Sequence, residues 1–339
     1  MLTYPDRLPL AITPTPLAPL ARLGARLGVE LLVKRDDLTG AALTGNKIRK
    51  LEFLLAEARE LGADTVITCG GVQSNHCRAT AIAARTVGLD TVLLLRVPDP
   101  TKPPAVGAEG GNLLLDRMVG AEVRFVSHAQ YAERKRLFVE VAEELRARGK
   151  RPYVIPEGGS NALGSWGYVR CVEELARELP PGPATIVYAA GSGGTGAGLV
   201  LGVQLLGLPW RVVGINVCDD RAYFVREIGQ IVEEAARRWS LSLAFARDQI
   251  EIIDGYVGEG YAKSRPAELR LIGEVAATEG LLLDPVYTGK AVFGMSSELG
   301  RDRHSLGARV VFVHTGGIFG LVPKAAEIVA ALVGGGGGG

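Results

Sequence analysis

Lys47 stands at a place where a lysine is unexpected. It follows Gly45 and Asn46 and precedes an apolar repeat in residues 51–58, whose spacings of three and four predict one buried face of a helix. Cations are disfavoured at helix N-termini, because the unpaired N–H groups there carry partial positive charge. The short string alone favours a solvated lysine in a loop; the alternative is an amine held there for chemistry.

A glycine-rich run far along the chain is a second candidate for chemistry. It follows the apolar segment ATIVYAA and consists of Gly191, Ser192, Gly193, Gly194, Thr195 and Gly196. Glycines allow close backbone approach, so successive N–H groups and a helix N-terminus can hold a phosphate, with the two hydroxyls as further donors. The run also matches the G-x-G-x-x-G pattern of dinucleotide-binding folds, with Asp219 downstream. We predict that this run binds a phosphate group, and the pattern alone does not identify the ligand that carries it.

Short apolar segments alternate with helical patterns along most of the chain. DTVITCGG, DTVLLLRV, AEVRFV, RPYVIPEGG, ATIVYAAGSGG, WRVVGINV, GLLLDPVYTG and ARVVFVHTGG read as strands. YAERKRLFVEVAEELRARG reads as one long helix, and another helix is predicted from about Ala197. Such alternation is typical of parallel sheets covered on both faces, with ligands at the carboxyl ends of the strands. Four strands end in glycine turns, which we interpret as converging ligand loops.

Composition excludes several classes of protein. The 339 residues carry a formal net charge of +1 and show no basic stripe, so no nucleic-acid surface is expected. No apolar run has membrane-spanning length, no secretory signal is recognisable, and the four cysteines form no CxxC pair and suggest no metal site. A cytoplasmic enzyme with reduced thiols is the expectation. Residues 334–339 are all glycine and are predicted to be a disordered tail.

A lysine fixed at a turn and a distant phosphate loop together suggest pyridoxal phosphate, whose aldehyde forms a Schiff base with a lysine amine. The set LTGNKIRKLEFLLAEA, GGVQSNHCRATA, RPYVIPEGGSNALG, GSGGTGAGL, LLLDPVYTGKA and VFVHTGG occurs in that order. It resembles the D-cysteine desulfhydrase and 1-aminocyclopropane-1-carboxylate (ACC) deaminase family of fold-type II pyridoxal-phosphate enzymes, which are similar to the tryptophan synthase β subunit. The resemblance extends from Thr13 to Gly317.

The resemblance implies roles for individual residues. Lys47 would carry the cofactor and move protons at the substrate Cα, Lys50 would assist the phosphate, and the 191–196 loop would hold it. Asn75 would hydrogen-bond the cofactor's 3′ oxygen, although an Asn there could instead cap the next helix.

Further roles concern the substrate side. Ser74 would contact the substrate carboxylate or act in proton transfer, and His76 would pack or orient its neighbours. Tyr261 and Tyr287 correspond to active-site tyrosines, with a structural role as the alternative. Tyr256 is a weaker candidate.

Two positions separate the subtypes within this family. The deaminase type resembles DPVYEGK, with a glutamate, and has an apolar residue before the later glycine pair. Here Thr288 and Thr315 occupy these positions, which is the desulfhydrase pattern. A carboxylate beside the pyridine nitrogen would keep it protonated and strengthen the ring as an electron sink, whereas a hydroxyl leaves it largely neutral. A weaker sink suffices when a good leaving group sits at Cβ. D-Cysteine conversion to pyruvate, hydrogen sulfide and ammonia is therefore the expected reaction.

Other functions remain open at this stage. L-Cysteate sulfo-lyase, a D-serine-type eliminase and ACC deaminase use the same scaffold. An NAD-dependent oxidoreductase would explain residues 191–196 but leaves Lys47 and the QSNH motif unexplained. A non-catalytic sensor would not need the full complement of lysine, serine, asparagine and tyrosines.

The resemblance implies an α/β architecture of two open, twisted, mainly parallel sheets flanked by helices. We predict a large cofactor-binding domain from residues 1–50 and 161–333 and a small domain from residues 51–160. It also implies a homodimer acting on a small amino acid.

Overall fold

A computed structural model of the chain describes residues 2–104 and 110–333. The glycine tail, residues 334–339, lies outside the described residues. The strands are β1 Leu17–Pro19, β2 Glu30–Lys34, β3 Thr65–Gly71, β4 Asp90–Arg96, β5 Glu122–Val126, β6 Pro152–Val154, β7 Ala184–Ala190, β8 Trp210–Asn216, β9 Glu251–Ile253 and β10 Arg309–Val313. The helices are α1 Ala21–Leu27, α2 Lys47–Glu60, α3 Asn75–Thr86, α4 Gly111–Met118, α5 His128–Ala132, α6 Arg134–Ala147, α7 Ala162–Glu178, α8 Gly194–Leu206, α9 Arg221–Arg238, α10 Pro266–Glu279, α11 Thr288–Arg301 and α12 Ala325–Val333.

Two sheets form the framework. One has the order β1-β2-β10-β7-β8-β9, and the other has the order β5-β4-β3-β6. Strand β1 pairs antiparallel with β2, and the remaining pairs in both sheets are parallel. The central strands β3, β4 and β7 are almost wholly buried, as expected for sheets covered by helices on both faces. The strands of the four-stranded sheet fall inside residues 51–160, and the domain boundaries themselves stay a prediction.

Helix α8 lies in the interior of the molecule and packs tightly on α7. Its residues from Gly194 to Val203 are all buried. A Cβ at Gly198 would lie 2.2 Å from the Ser165 carbonyl oxygen, and one at Gly202 would lie 2.8 Å from the Val172 side chain. The glycines of this helix are therefore required by its close approach to α7.

Three sequence-based assignments differ from the structure. GLLLDPVYTG is not a strand: Leu281 and Leu283 are buried and Leu282 is exposed, so the alternation is real, but the segment joins neither sheet. The predicted long helix from Tyr131 is divided at Glu133 into α5 and α6. Helix α8 begins at Gly194, three residues before the predicted start, directly after Gly193 with φ 80°, so the turn takes fewer of the glycines than expected.

All four cysteines are buried and free. Among residues 2–104 and 110–333, no helix combines the length and the apolar character that crossing a membrane requires.

Candidate active site

Lys47 is the first residue of α2, and the turn before it is fixed by loops from distant parts of the chain. The Asn46 backbone N–H donates to the Thr315 carbonyl oxygen at 3.1 Å, and Asn46 Nδ2 donates to Thr195 Oγ1 at 3.1 Å. Gly45 has φ 103°, and a Cβ there would lie 2.9 Å from the Thr315 oxygen. The turn thus joins the loops that follow β7 and β10, and Lys47 is placed where the carboxyl ends of these strands meet.

The environment of Lys47 raises the neutral fraction of its amine. Its side chain is half-buried, and the surrounding protein lowers its pKa to about 8, with burial as the main cause and the nearby Glu157 and Cys218 opposing it. An ordinary lysine is almost fully protonated at neutral pH and is a poor nucleophile. Lys47 therefore has the reactivity that forming a bond with an aldehyde requires.

Lys50 is fully buried one helical turn further on. Its Nζ donates to the Gly158 carbonyl oxygen at 3.2 Å, and within residues 2–104 and 110–333 it has no carboxylate partner. Burial, with the Lys47 charge added, lowers the pKa of Lys50 well below its usual value. The charged form of Lys50 is costly to bury without a counter-ion, so the site is suited to an anionic ligand that would pair with it.

The glycine loop lies directly over Lys50. A Cβ on Gly194 would lie 3.0 Å from Lys50 Nζ, so only glycine leaves that space free. The Gly194 N–H donates to Ser160 Oγ at 3.3 Å, and Ser160 Oγ donates to Ser192 Oγ at 3.0 Å. Gly193 has φ 80° and turns the chain into α8. The first turn of α8 leaves backbone N–H groups without helical acceptors, which suits a phosphate.

These features fit pyridoxal phosphate on geometric grounds. Three features lie close together in space. They are the reactive amine of Lys47, the buried amine of Lys50, which has no counter-ion within the described residues, and the open N-terminus of α8. The phosphate would bind at the 191–196 loop and Lys50, and the aldehyde would face Lys47.

Ser74 caps helix α3, and Asn75 does not. Ser74 Oγ accepts from the Cys77 N–H at 3.2 Å, which fills the capping role that the sequence allowed for Asn75. Asn75 is the first helical residue, and its Oδ1 accepts from Asn112 Nδ2 at 3.0 Å. Among the residues that the structure describes, its amide nitrogen donates to no acceptor, which leaves its donors for a ligand such as the cofactor's 3′ oxygen.

His76 faces away into the interior. Thr68 Oγ1 donates to the Ile155 carbonyl oxygen at 2.8 Å, so it accepts from His76 Nε2, also at 2.8 Å. Burial, together with the charges of Lys47 and Lys50, lowers the pKa of His76 well below its usual value. A neutral histidine bonded to Thr68 fits the orienting role expected from the sequence.

Tyr261 and Tyr287 form a direct pair. Their hydroxyl oxygens are 2.6 Å apart, and burial raises the pKa of Tyr261 to about 12. The Tyr287 ring lies against the glycine loop, since a Cβ on Gly191 would be 3.0 Å from it. Tyr256 is instead bonded to Glu298, away from this pair.

The two threonines have different surroundings. Thr288 is buried; its Oγ1 donates to Asp284 Oδ1 at 2.7 Å and accepts from the Asp284 N–H at 2.8 Å. Thr315 is half-buried, and within the part of the chain that the structure describes its hydroxyl makes no hydrogen bond. Thr315 is therefore the threonine with a hydroxyl free for a ligand.

Sequence reasoning missed several residues of this site. Asn46 and Ser160 lie next to predicted residues, whereas Asp284, Asn112 and Glu157 come from other elements. A signal existed for Asp284, because an Asp before a turn commonly accepts from the backbone N–H two residues on, as Asp284 does from Val286.

Comparisons with known proteins agree with this geometry. A family model described as pyridoxal-phosphate dependent enzyme matches residues 8–316. A relative from Arabidopsis thaliana, named bifunctional D-cysteine desulfhydrase/1-aminocyclopropane-1-carboxylate deaminase, mitochondrial, is 42% identical over 95% of this chain and 81% of its own. A Yersinia pestis protein named D-cysteine desulfhydrase is 40% identical over 93% of this chain and 95% of its own. The crystal structure of an ACC deaminase homologue matches with a TM-score of 0.88 and 39% identity, covering 97% of both chains.

The predicted family, fold class and cofactor are thereby confirmed, and the dinucleotide interpretation of the glycine loop is set aside. The chain belongs to the pyridoxal-phosphate dependent enzymes, in the group of D-cysteine desulfhydrases and ACC deaminases.

Proposed function

We propose that this enzyme catalyses β-elimination from D-cysteine, giving pyruvate, hydrogen sulfide and ammonia. The observation that carries the proposal is the pair of hydroxyl residues, Thr288 and Thr315, at the positions where the deaminase type would have a glutamate and an apolar residue. The names of the Arabidopsis and Yersinia relatives support this activity.

The residues divide the work as follows. When bound, the cofactor supplies an electron sink that acidifies the substrate Cα–H bond. Lys47 removes the Cα proton, since its lowered pKa makes the amine a base at neutral pH. Ser74 and the N-terminus of α3 hold the substrate carboxylate by hydrogen bonds. Thr315 would offer a hydroxyl, not a carboxylate, to the pyridine nitrogen.

The tyrosines and the loops restrict water and movement. Tyr261 and Tyr287 hold one another through a 2.6 Å hydrogen bond, and Lys290 fixes the Tyr261 loop by donating to the Gly260 carbonyl oxygen at 2.9 Å. These contacts would hold the two phenols in place when an amino acid binds. Loss of sulfide from Cβ leaves an enamine that water converts to pyruvate and ammonia.

ACC deamination is the second candidate, because the Arabidopsis relative carries both names. A substrate panel separates the candidates: D-cysteine, L-cysteine, L-cysteate, D-serine and ACC, with pyruvate or 2-oxobutyrate as the measured product. We expect the highest kcat/KM with D-cysteine. Preference for ACC or L-cysteate would assign the alternative reaction.

Lys47→Ala is the matched control for the panel. The variant is expected to fold and to lose turnover by at least about a thousandfold, because no other amine can remove the proton. Substantial turnover by this variant would contradict the role of Lys47.

We further propose a cytoplasmic homodimer with the large and small domains given above. Size-exclusion chromatography with light scattering tests the dimer, and a mass of one chain would contradict it.

A further inference from the structure

Arg96 lies between two tyrosine rings from different parts of the fold. It ends strand β4, and its Cζ is 4.8 Å from the centroid of the Tyr131 ring and 5.8 Å from that of the Tyr261 ring. The side chain is half-buried, and among residues 2–104 and 110–333 it makes no ion pair and no side-chain hydrogen bond. A guanidinium stacked between rings but with its N–H donors free is a receptor for an anion.

Arg134 offers an internal comparison, because its Cζ lies 5.5 Å from the centroid of the same Tyr131 ring. Arg134 Nε is 3.2 Å from Glu157 Oε2, and the Tyr131 hydroxyl donates to Glu157 Oε1 at 2.6 Å. The Glu157 carboxylate is therefore already occupied by these two residues. Of the two arginines on this ring, Arg134 has a counter-ion, whereas Arg96 has none among the described residues.

The position of Arg96 relates it to the substrate. In the sheet register Arg96 pairs with Gly71, three residues before Ser74, so both follow the carboxyl ends of adjacent strands. Tyr261, which Arg96 stacks on, is bonded to Tyr287 beside the glycine loop. Because Ser74 and α3 are proposed to hold the substrate carboxylate, Arg96 is available for the other end of the amino acid.

We propose that Arg96 binds the Cβ substituent of the substrate and stabilises the negative charge that develops on it as it leaves. This inference rests on the proposed β-elimination and specifies its substrate class as amino acids with an anionic sulfur leaving group. As Lys47 takes the Cα proton, the C–H electron pair forms the Cα=Cβ bond, and the Cβ–S pair leaves with sulfur as HS⁻. The guanidinium keeps its protons throughout and stabilises the charge that develops on sulfur.

Binding of non-reacting amino acids tests the charge preference without turnover. D-Aspartate carries a carboxylate on Cβ that cannot leave, and D-asparagine is its neutral counterpart of the same shape. Dissociation constants are measured from the visible spectrum of the holoenzyme. Wild type is expected to prefer D-aspartate, and Arg96→Gln is expected to lose at least about tenfold of that preference. Arg134→Gln, which removes a charge from the same ring, should retain it.

Several outcomes would overturn the proposal. Equal binding of the two ligands by wild type is one, and an unchanged preference in Arg96→Gln is another. If Arg96→Gln does not fold or bind cofactor, Arg96→Lys decides: a retained preference for D-aspartate supports the charge role, and its loss contradicts it.

The elimination reaction provides a second readout. Arg96→Gln should lower kcat for D-cysteine more than for β-chloro-D-alanine, because chloride needs less help to leave. Equal losses would contradict stabilisation of the leaving group. If wild type binds cofactor but releases no sulfide from D-cysteine, the proposed function fails, while the aspartate–asparagine comparison still tests Arg96.

Discussion

Helices α8 and α11 both begin at the proposed cofactor site, and their N-termini are built in opposite ways. The α8 end has glycines, hydroxyls and the buried Lys50 amine, and within residues 2–104 and 110–333 no carboxylate accepts a hydrogen bond from Lys50 or Gly194. At the α11 end the Asp284 carboxylate accepts from the N–H groups of Val286, Tyr287 and Thr288 at 2.8–2.9 Å. The N-terminus of α8 is thus open for an external anion, whereas the N-terminus of α11 is already bound by the Asp284 carboxylate of the protein itself.

The difference between the two N-termini separates residues that bind the cofactor from residues that stabilise the fold. Positive groups at the α8 end have no anionic partner within the described residues, so a phosphate improves their energy. The polar groups at the α11 end already satisfy one another, so that end needs no ligand to be stable. Cofactor binding and stability should therefore respond to different residues.

The largest effect is expected at the closed end. Asp284→Ala removes the acceptor for three backbone N–H groups and the Thr288 hydroxyl, and buried donors without acceptors are costly. We expect the free energy of unfolding of the apo protein to fall by about 3 kcal/mol, measured by urea denaturation. Asp284→Asn keeps one side-chain oxygen and should lose less. Equal stability of Asp284→Ala and wild type would show that the α11 end is not held by this carboxylate.

Lys50→Met tests the open end and should act in the opposite sense. Loss of the ammonium is expected to raise the dissociation constant for pyridoxal phosphate about 100-fold, or about 2.7 kcal/mol, with no loss of apo stability. The reason is that the charge is buried without a counter-ion until a phosphate arrives. Lys150→Met, at a surface ion pair with Asp90, is the matched control and should bind cofactor normally. If Lys50→Met instead destabilised the apo protein and left the affinity for cofactor unchanged, Lys50 would be a stabilising residue and not a cofactor-binding one.

Thr288 and Thr315 allow the same distinction, between ligand binding and stability, to be tested with two residues of one type. Valine keeps the shape of threonine but removes the hydroxyl. Thr315→Val should lower kcat/KM for D-cysteine about tenfold, or about 1.4 kcal/mol of barrier, because its hydroxyl is free for the pyridine nitrogen. Thr288→Val should mainly lower the free energy of unfolding, since its hydroxyl is bonded to Asp284. The reverse result would assign Thr288 as the residue that contacts the ring.

The smallest effect concerns pH. Because burial lowers the pKa of Lys47 to about 8, the neutral fraction of its amine rises steeply between about pH 7 and 9 and then levels off. The rate at which apo protein takes up pyridoxal phosphate, followed above 400 nm, should show the same profile. Lys47→Ala supplies the background rate. A rate that still climbs between about pH 9 and 10.5 would indicate an ordinary lysine.

Sequence patterns predicted the parts of the site that are contiguous in the chain. Lys47 with its glycine turn and the 191–196 loop are local motifs, and parallel α/β architecture brings such loops to one edge of a sheet. Contacts between distant segments could not be predicted this way. The Lys50–Gly158 hydrogen bond joins residues 108 apart, and the Arg96–Tyr261 contact joins the end of β4 to the loop between β9 and α10. The Leu281–Leu283 segment misled because alternating burial also arises in an extended chain packed beside a sheet.

The glycines of α8 have a consequence for anyone who redesigns this scaffold. Side chains at Gly198 or Gly202 would push α8 away from α7 and displace the N-terminus that faces the phosphate. Random libraries that include these positions will mostly yield proteins that have lost the cofactor. Libraries confined to the partly exposed Arg96 and Tyr261 vary the substrate end and leave that foundation in place. In this scaffold the α7–α8 contact is therefore the part to conserve, and the surroundings of Arg96 and Tyr261 are the part to diversify.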